Sequence, residues 1–238
     1  MKVRVYGIAV LAAAALLAAC QRISQDPVER GEAYFNALGC VKCHAMGNEG
    51  GTYGPNLAFI GFRKSPEWLD QWLKNPHAWR AQTVMPNFHL NDDIRGDLVA
   101  YLSAQKGEAF DKTGGRPWNA PELASGDPVK RGAELFNKAG CVACHSQNGR
   151  GGYPNNNVVG GQIPALTNVS QGYTKAELIA KIRNGVPKPA PADPSKPEPM
   201  VYMPSWGKVL KDDEIESVAA YLISLGGGAK SGGGELGF

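Results

Sequence analysis

The sequence predicts an all-α protein made of two tandem copies of one small module, and three observations carry that expectation. Residues 26–44, DPVERGEAYFNALGCVKCH, align without a gap with residues 127–145, DPVKRGAELFNKAGCVACH. Two further amphipathic segments repeat in the same order: SPEWLDQWLKN (65–75) with TKAELIAKIRN (174–184), then LNDDIRGDLVAYLSAQ (90–105) with LKDDEIESVAAYLISL (210–225). A length of 238 residues at 43% hydrophobic content is ample for two small domains and far from a disordered composition.

Each repeated element carries its own signals. In the first helix Asp26 or Asp127 can cap the start, the following proline fits the first turn, and Gly39 or Gly140 closes the end. Gly31 and Phe35, like Gly132 and Phe136, share a face at i, i+4 spacing, and a glycine there lets another helix approach closely. The second helix opens on Ser65 or Thr174 and is halted by Pro76 or Gly185. The third runs from acidic first turns to an apolar end with Tyr101 or Tyr221. The second copy has longer loops on the same plan.

The first 19 residues join a basic start (Lys2, Arg4) to an apolar run from Tyr6 to Ala19, and so predict an export signal. The run is short and rich in alanine against the roughly 20 apolar residues that span a bilayer, so it is expected to be removed. Leu17-Ala18-Ala19-Cys20 resembles the lipobox of bacterial lipoproteins. That resemblance implies cleavage before Cys20 and its acylation, with residues 20–25 as a tether; the alternative is an ordinary signal peptide with an incidental cysteine. Several acyl chains anchor firmly, since each buried CH₂ adds about 0.8 kcal/mol. Gln21 in place of aspartate weakly favours the outer membrane if the host is Gram-negative. Loss of Lys2 and Arg4 leaves the mature chain near neutrality, and nothing suggests nucleic acid as a partner.

Export also places the remaining four cysteines in an oxidising compartment, where an isolated Cys-x-x-Cys tends towards a disulfide unless something else claims the sulfurs. CVKCH (40–44) and CVACH (141–145) put a histidine directly after each pair, the attachment signature of c-type haem. Cys40 and Cys43, or Cys141 and Cys144, lie three positions apart on one turn of backbone, the spacing for two thioether bonds to the vinyl groups of one haem. His44 or His145 then offers its imidazole to the iron. A redox dithiol or a zinc site shared by four cysteines leaves both histidines unexplained. The expected cofactors are two haem c groups with their iron.

Three helices in this order around such a motif resemble the class I cytochrome c family over nearly all of residues 26–226. The resemblance implies two tandem cytochrome c domains (26–105 and 127–226), each a few helices packed around a covalently bound haem. It also implies that the first and last helices cross through Gly31, Phe35 and Tyr101 in one domain and Gly132, Phe136 and Tyr221 in the other. A domain of about 90 residues has a thin core alone, and a covalent haem would be both staple and core. The family's sixth ligand is a methionine before the last helix, which assigns Met85 of TVMPNF to the haem of His44 and Met203 of VYMPSW to the haem of His145. In both, the following proline favours extended backbone at the methionine. Met46, Met200, His77 and His89 are the competitors. The family orients its histidine through a proline carbonyl, which points to Pro55 in GPNL and, by alignment, Pro164 in IPAL.

Residues 106–126 are too rich in Gly and Pro for a continuous helix and read as a linker along one surface. The proline-rich stretch 186–199 reads as an extended solvated spacer or a docking loop, and 227–238 as a Gly-rich flexible tail. The resemblance implies a membrane-tethered dihaem electron carrier on the periplasmic side of the cell envelope. It would exchange electrons between a redox protein donor and acceptor, with no small-molecule substrate. The alternatives are a subunit of a larger quinol-oxidising or terminal-oxidase complex, and a dihaem enzyme of the peroxidase or thiosulfate dehydrogenase type.

Overall fold

The computed structural model describes residues 24–227. The export signal, Cys20 and residues 228–238 lie outside the described residues. Among the described residues the regular elements are helices apart from a two-stranded antiparallel hairpin, β1 (Ala45–Met46) and β2 (Glu49–Gly50), directly after the first CxxCH motif.

Module one contains α1 (Pro27–Ala37), α2 (Ile60–Arg63), α3 (Pro66–Lys74), α4 (Pro76–Trp79) and α5 (Asp92–Ala104). The Asp26 carboxylate accepts from the Val28 amide at 2.9 Å, Ser65 Oγ from Trp68 N at 3.2 Å, and Asn91 Oδ1 from Ile94 N at 2.9 Å. Each cap satisfies an amide that the helix itself leaves without a partner. The crossing of α1 and α5 needs Gly31, because a Cβ there would overlap the Asp97 carbonyl and Tyr101 Cβ. Phe35 and Tyr101 then meet with ring centroids 5.4 Å apart, and Arg30 forks onto Asp97 at 2.7 and 2.8 Å.

After α6 (Glu108–Lys112) and α7 (Pro121–Ala124), module two repeats the plan. It has α8 (Pro128–Lys138), α9 (Val142–His145), α10 (Val169–Gly172), α11 (Lys175–Asn184) and α12 (Asp212–Gly227). Gly132 faces the Ser217 carbonyl and Tyr221 Cβ as Gly31 faces their counterparts, and Phe136 lies 5.4 Å from Tyr221. At α11, Thr174 and Glu177 close a reciprocal capping box. The last helix runs through Gly227, one residue into the stretch expected as tail.

Residues 106–126 are not the surface linker that composition suggested. Phe110 and Trp118 are fully buried, and Trp118 Nε1 donates to the buried Glu214 carboxylate on α12 at 2.7 Å. Arg131 on α8 donates to the Trp118 carbonyl at 3.0 Å and to Asn119 Oδ1 at 2.9 Å. The glycines and prolines break the segment into short turns, and its two large aromatics complete the core of module two. The cores also exchange residues: Phe59 and Phe62 of module one pack edge-on against Trp206, while Tyr153 and Val201 join the cluster around Trp68 and Tyr101.

Candidate haem sites

In module one, α1 ends at Gly39, whose φ of 73° turns the chain into a 3₁₀ turn over Cys40–Lys42. Amides of Cys43 and His44 both donate to the Cys40 carbonyl, at 3.2 and 2.9 Å, so one short turn presents both sulfurs and the imidazole. His44 Nδ1 lies 2.9 Å from the Pro55 carbonyl, which makes Nδ1 the protonated nitrogen and leaves Nε2 for a metal. Gly54 permits this approach, since a Cβ there would strike the His44 ring. Asn56 braces the loop by donating to the Gly47 carbonyl at 2.6 Å and accepting from Ala58 N at 2.9 Å. Burial lowers the His44 pKa and so favours the neutral, ligating ring.

Met85 packs in the same cluster as Cys40 and Val41, and its sulfur accepts from Trp72 Nε1 at 3.0 Å. Among the described residues its backbone makes one hydrogen bond, from the Met85 amide to Thr83 Oγ1 at 3.3 Å. Met46 is half-buried beside its own histidine, while His77 and His89 are exposed.

In module two, Gly140 (φ 89°) leads into α9, and the amides of Cys144 and His145 donate to the Cys141 carbonyl at 3.1 and 2.9 Å. A cavity of about 560 Å³ is lined by Cys141, Cys144, His145 and Met203, and its remaining wall is largely apolar, with Phe136, Leu178 and Val218 among its members. Met200 is not on that wall; it packs instead against the cluster of module one. Burial brings the His145 pKa to about 4, opposed by the nearby Pro164 carbonyl. Nδ1 nevertheless makes no full hydrogen bond, so the orienting contact is closed in module one and open in module two. Gly151 (φ 71°) passes so close to the backbone of Pro164 and Ala165 that a side chain would collide with it.

The residues fit two haems. The four cysteines are free, and among the described residues no three His, Cys, Asp or Glu gather as a separate metal site. The cavity of module two is mainly apolar, with sulfur and imidazole donors in its wall. Buried donors without partners, Lys64 Nζ, Trp68 Nε1 and Trp79 Nε1, remain in module one for an anionic group to meet.

The cytochrome c family model matches residues 28–106 and 129–226, which together make up most of the chain. The chain belongs to the cytochrome c family. This cytochrome carries two haem c groups, one in each matched domain. It is 30% identical over 221 residues to a thiosulfate dehydrogenase electron acceptor of Stutzerimonas stutzeri, covering 90% of this chain and 92% of that protein. It is also 28% identical over 193 residues to the cbb3-type cytochrome c oxidase subunit FixP of Azorhizobium caulinodans, covering 79% of this chain and 57% of that subunit. With the CcoP subunit of Azospirillum brasilense the identity is 27% over 211 residues, covering 83% and 62%. The cytochrome thus spans only about 57–62% of the length of those two oxidase subunits.

Three groups of residues around the haem sites give no local sign in the sequence. Arg63 and Lys64 look like a solvated basic pair but are 3% and 4% exposed. Asn155, Asn156 and Asn157 look like a polar loop but hold the segment that precedes Met203. Trp72 looks like core on an amphipathic helix, and only the fold brings it to the Met85 sulfur.

Proposed function

We propose that this cytochrome is a dihaem electron carrier of the cell envelope, tethered to the membrane through an acylated Cys20, that passes electrons from one redox protein to another. Cys40 and Cys43 hold one haem and Cys141 and Cys144 the other. His44 with Met85 would hold the iron of the first, and His145 with Met203 that of the second. The observation that carries this assignment is the placement of His145 and Met203 on the wall of one apolar cavity, with the rival Met200 outside it.

Haem iron so ligated supplies a one-electron couple whose potential follows axial ligand and burial. The residues of the chain hold the imidazoles neutral, fix the His44 tautomer through Pro55 and line the second pocket with largely apolar side chains. A methionine on each iron would leave no position for a substrate, which would separate a carrier from a peroxidase or thiosulfate dehydrogenase. The likeness to an electron acceptor and to oxidase subunits supports the carrier reading in both cases, working alone or within a larger complex. Among the described residues no helix is long and apolar enough to cross a membrane.

Two assays test the proposal. The purified protein, reduced and mixed with peroxide or supplied with thiosulfate, is expected to show no steady turnover; sustained turnover would contradict the carrier role. Cys20→Ser is expected to move the protein from the membrane to the soluble exported fraction, and unmodified Cys20 in the mature protein would remove the tether.

A further inference from the structure

Met203 stands between two residues that module one holds. Two positions before it, Val201 is 1% exposed: it lines the cavity of module two and also packs in the core cluster of module one with Trp68, Leu69 and Tyr101. Three positions after it, the buried Trp206 lines the same cavity and meets Phe59 and Phe62 of module one edge-on, with ring centroids 5.9 and 5.2 Å apart. The backbone between these two seats has little freedom. Asn155 holds the amide and the carbonyl of Val201, Val186 holds those of Met203, and Pro204 has its φ fixed by its own ring. A displacement at either seat is therefore passed to the methionine within two or three residues. Phe59 is itself backed by the buried Phe110, at 5.8 Å between centroids. Phe62 is half-buried, lies off the cavity wall and reaches the second haem site through Trp206. The first haem site is built differently, since Trp72 beside Met85 and Pro55 beside His44 belong to its own module.

We propose that Phe62, acting through Trp206, and Val201 are positioning residues for Met203, so that module one sets the sixth ligand of the second haem as well as its own. Edge-on aromatic pairs at these separations stabilise beyond the burial of each ring. A side chain removed from a close-packed core leaves space that its neighbours fill only in part. Without the Phe62 ring, Trp206 has room to turn aside, and Met203 gains positions other than the one facing iron. The dependence runs one way: the second haem is closed only in a chain whose first module is folded, while Trp72 holds Met85 from within module one.

The inference rests on Met203 as sixth ligand of the second haem, and the experiment separates the two. Met203→Ala is the reference: the reduced holoprotein is expected to bind carbon monoxide rapidly at one haem, and binding no faster than in the parent would overturn the ligand assignment itself. Met85→Ala supplies the corresponding difference spectrum for the first haem. Phe62→Ala in the full-length holoprotein is expected to speed carbon monoxide binding about tenfold over the parent, the factor that matches loss of one edge-on aromatic contact. Its difference spectrum should be that of the second haem. Val201→Ala is expected to open the same haem, and Phe62→Tyr, which keeps the ring, to restore the parent rate. A general loosening of module one would instead open the first haem, which shares a module with Phe62. If Phe62→Ala does not retain both haems, Phe62→Leu, which loses the ring but keeps much of the bulk, carries the test with Val201→Ala. Parent rates in these variants while Met203→Ala is open, or a rise shared equally by both haems or confined to the first, would overturn the proposal.

Discussion

The two modules share helices, caps and glycine crossings, yet they support the methionine proposed as sixth ligand by opposite means. In module one the side chain is held: Trp72 Nε1 donates to the Met85 sulfur at 3.0 Å, while the backbone around it has a single long contact to Thr83. In module two the backbone is held. Val186 and Met203 exchange hydrogen bonds at 2.7 and 3.3 Å, closing the proline-rich segment at its base. Three consecutive asparagines then fasten its length. Asn155 accepts from the Val201 amide at 3.0 Å and donates to its carbonyl at 2.8 Å. Asn156 joins Met200 N and the Glu198 carbonyl, both at 2.7 Å, and Asn157 takes Asp193 and Pro197. The segment that composition gives as a free spacer is a strap, and its fixed end is Met203. A long insertion next to a ligand needs such fastening, because an unfastened loop would leave the methionine many positions besides the one facing iron.

The comparison can be broken most severely at the methionines. Met85→Ala and Met203→Ala are each expected to open one iron, to admit carbon monoxide at that haem alone and to shift its potential, since axial ligand identity governs a range of about 0.8 V. Carbon monoxide difference spectra and redox titration of each variant check this, and Met200→Ala should match the parent. What the modules have in common is tested by Gly31→Ala and Gly132→Ala. Each forces a methyl group into a carbonyl of the opposing helix, so each is expected to destabilise its module by about 1–3 kcal/mol or more, seen as a lower denaturant midpoint.

Where the modules differ, smaller effects should separate them. Asn155→Ala leaves the buried amide and carbonyl of Val201 without partners, a loss of about 1–3 kcal/mol. It is expected to loosen Met203 and allow partial carbon monoxide binding at the second haem, with the first unchanged. Trp72→Phe removes one hydrogen bond, about 0.5–1.5 kcal/mol, from the Met85 sulfur. With the sulfur free to donate more strongly to ferric iron, the first haem should fall in potential by a few tens of millivolts, at about 59 mV per tenfold change for one electron. Equal responses of both haems to either variant would dissolve the contrast.

What was legible in the sequence was local. The capping aspartates, Gly39 and Gly140, and the spacing of cysteines and histidine act within a few residues, so a short window contains all the physics that shapes them. The crossing glycines were visible because a repeat displayed them twice. What the sequence hid depends on distant partners: Trp118 is core only because Glu214, far along the chain, accepts from its indole. Arg63 is buried only because the Gly140 carbonyl of the other module meets it, and the asparagine strap pairs 155–157 with 192–201 across an insertion. Polar or basic residues in a short window read as solvated, and only the fold decides otherwise.

The proposed carrier role rests on closure of both irons, and carbon monoxide added to the fully reduced, unmutated protein measures it directly. With Met85 and Met203 both bound, the optical spectrum of the reduced protein should change little and slowly. Rapid binding of one carbon monoxide per protein or more would show an open iron and contradict the carrier assignment for that haem.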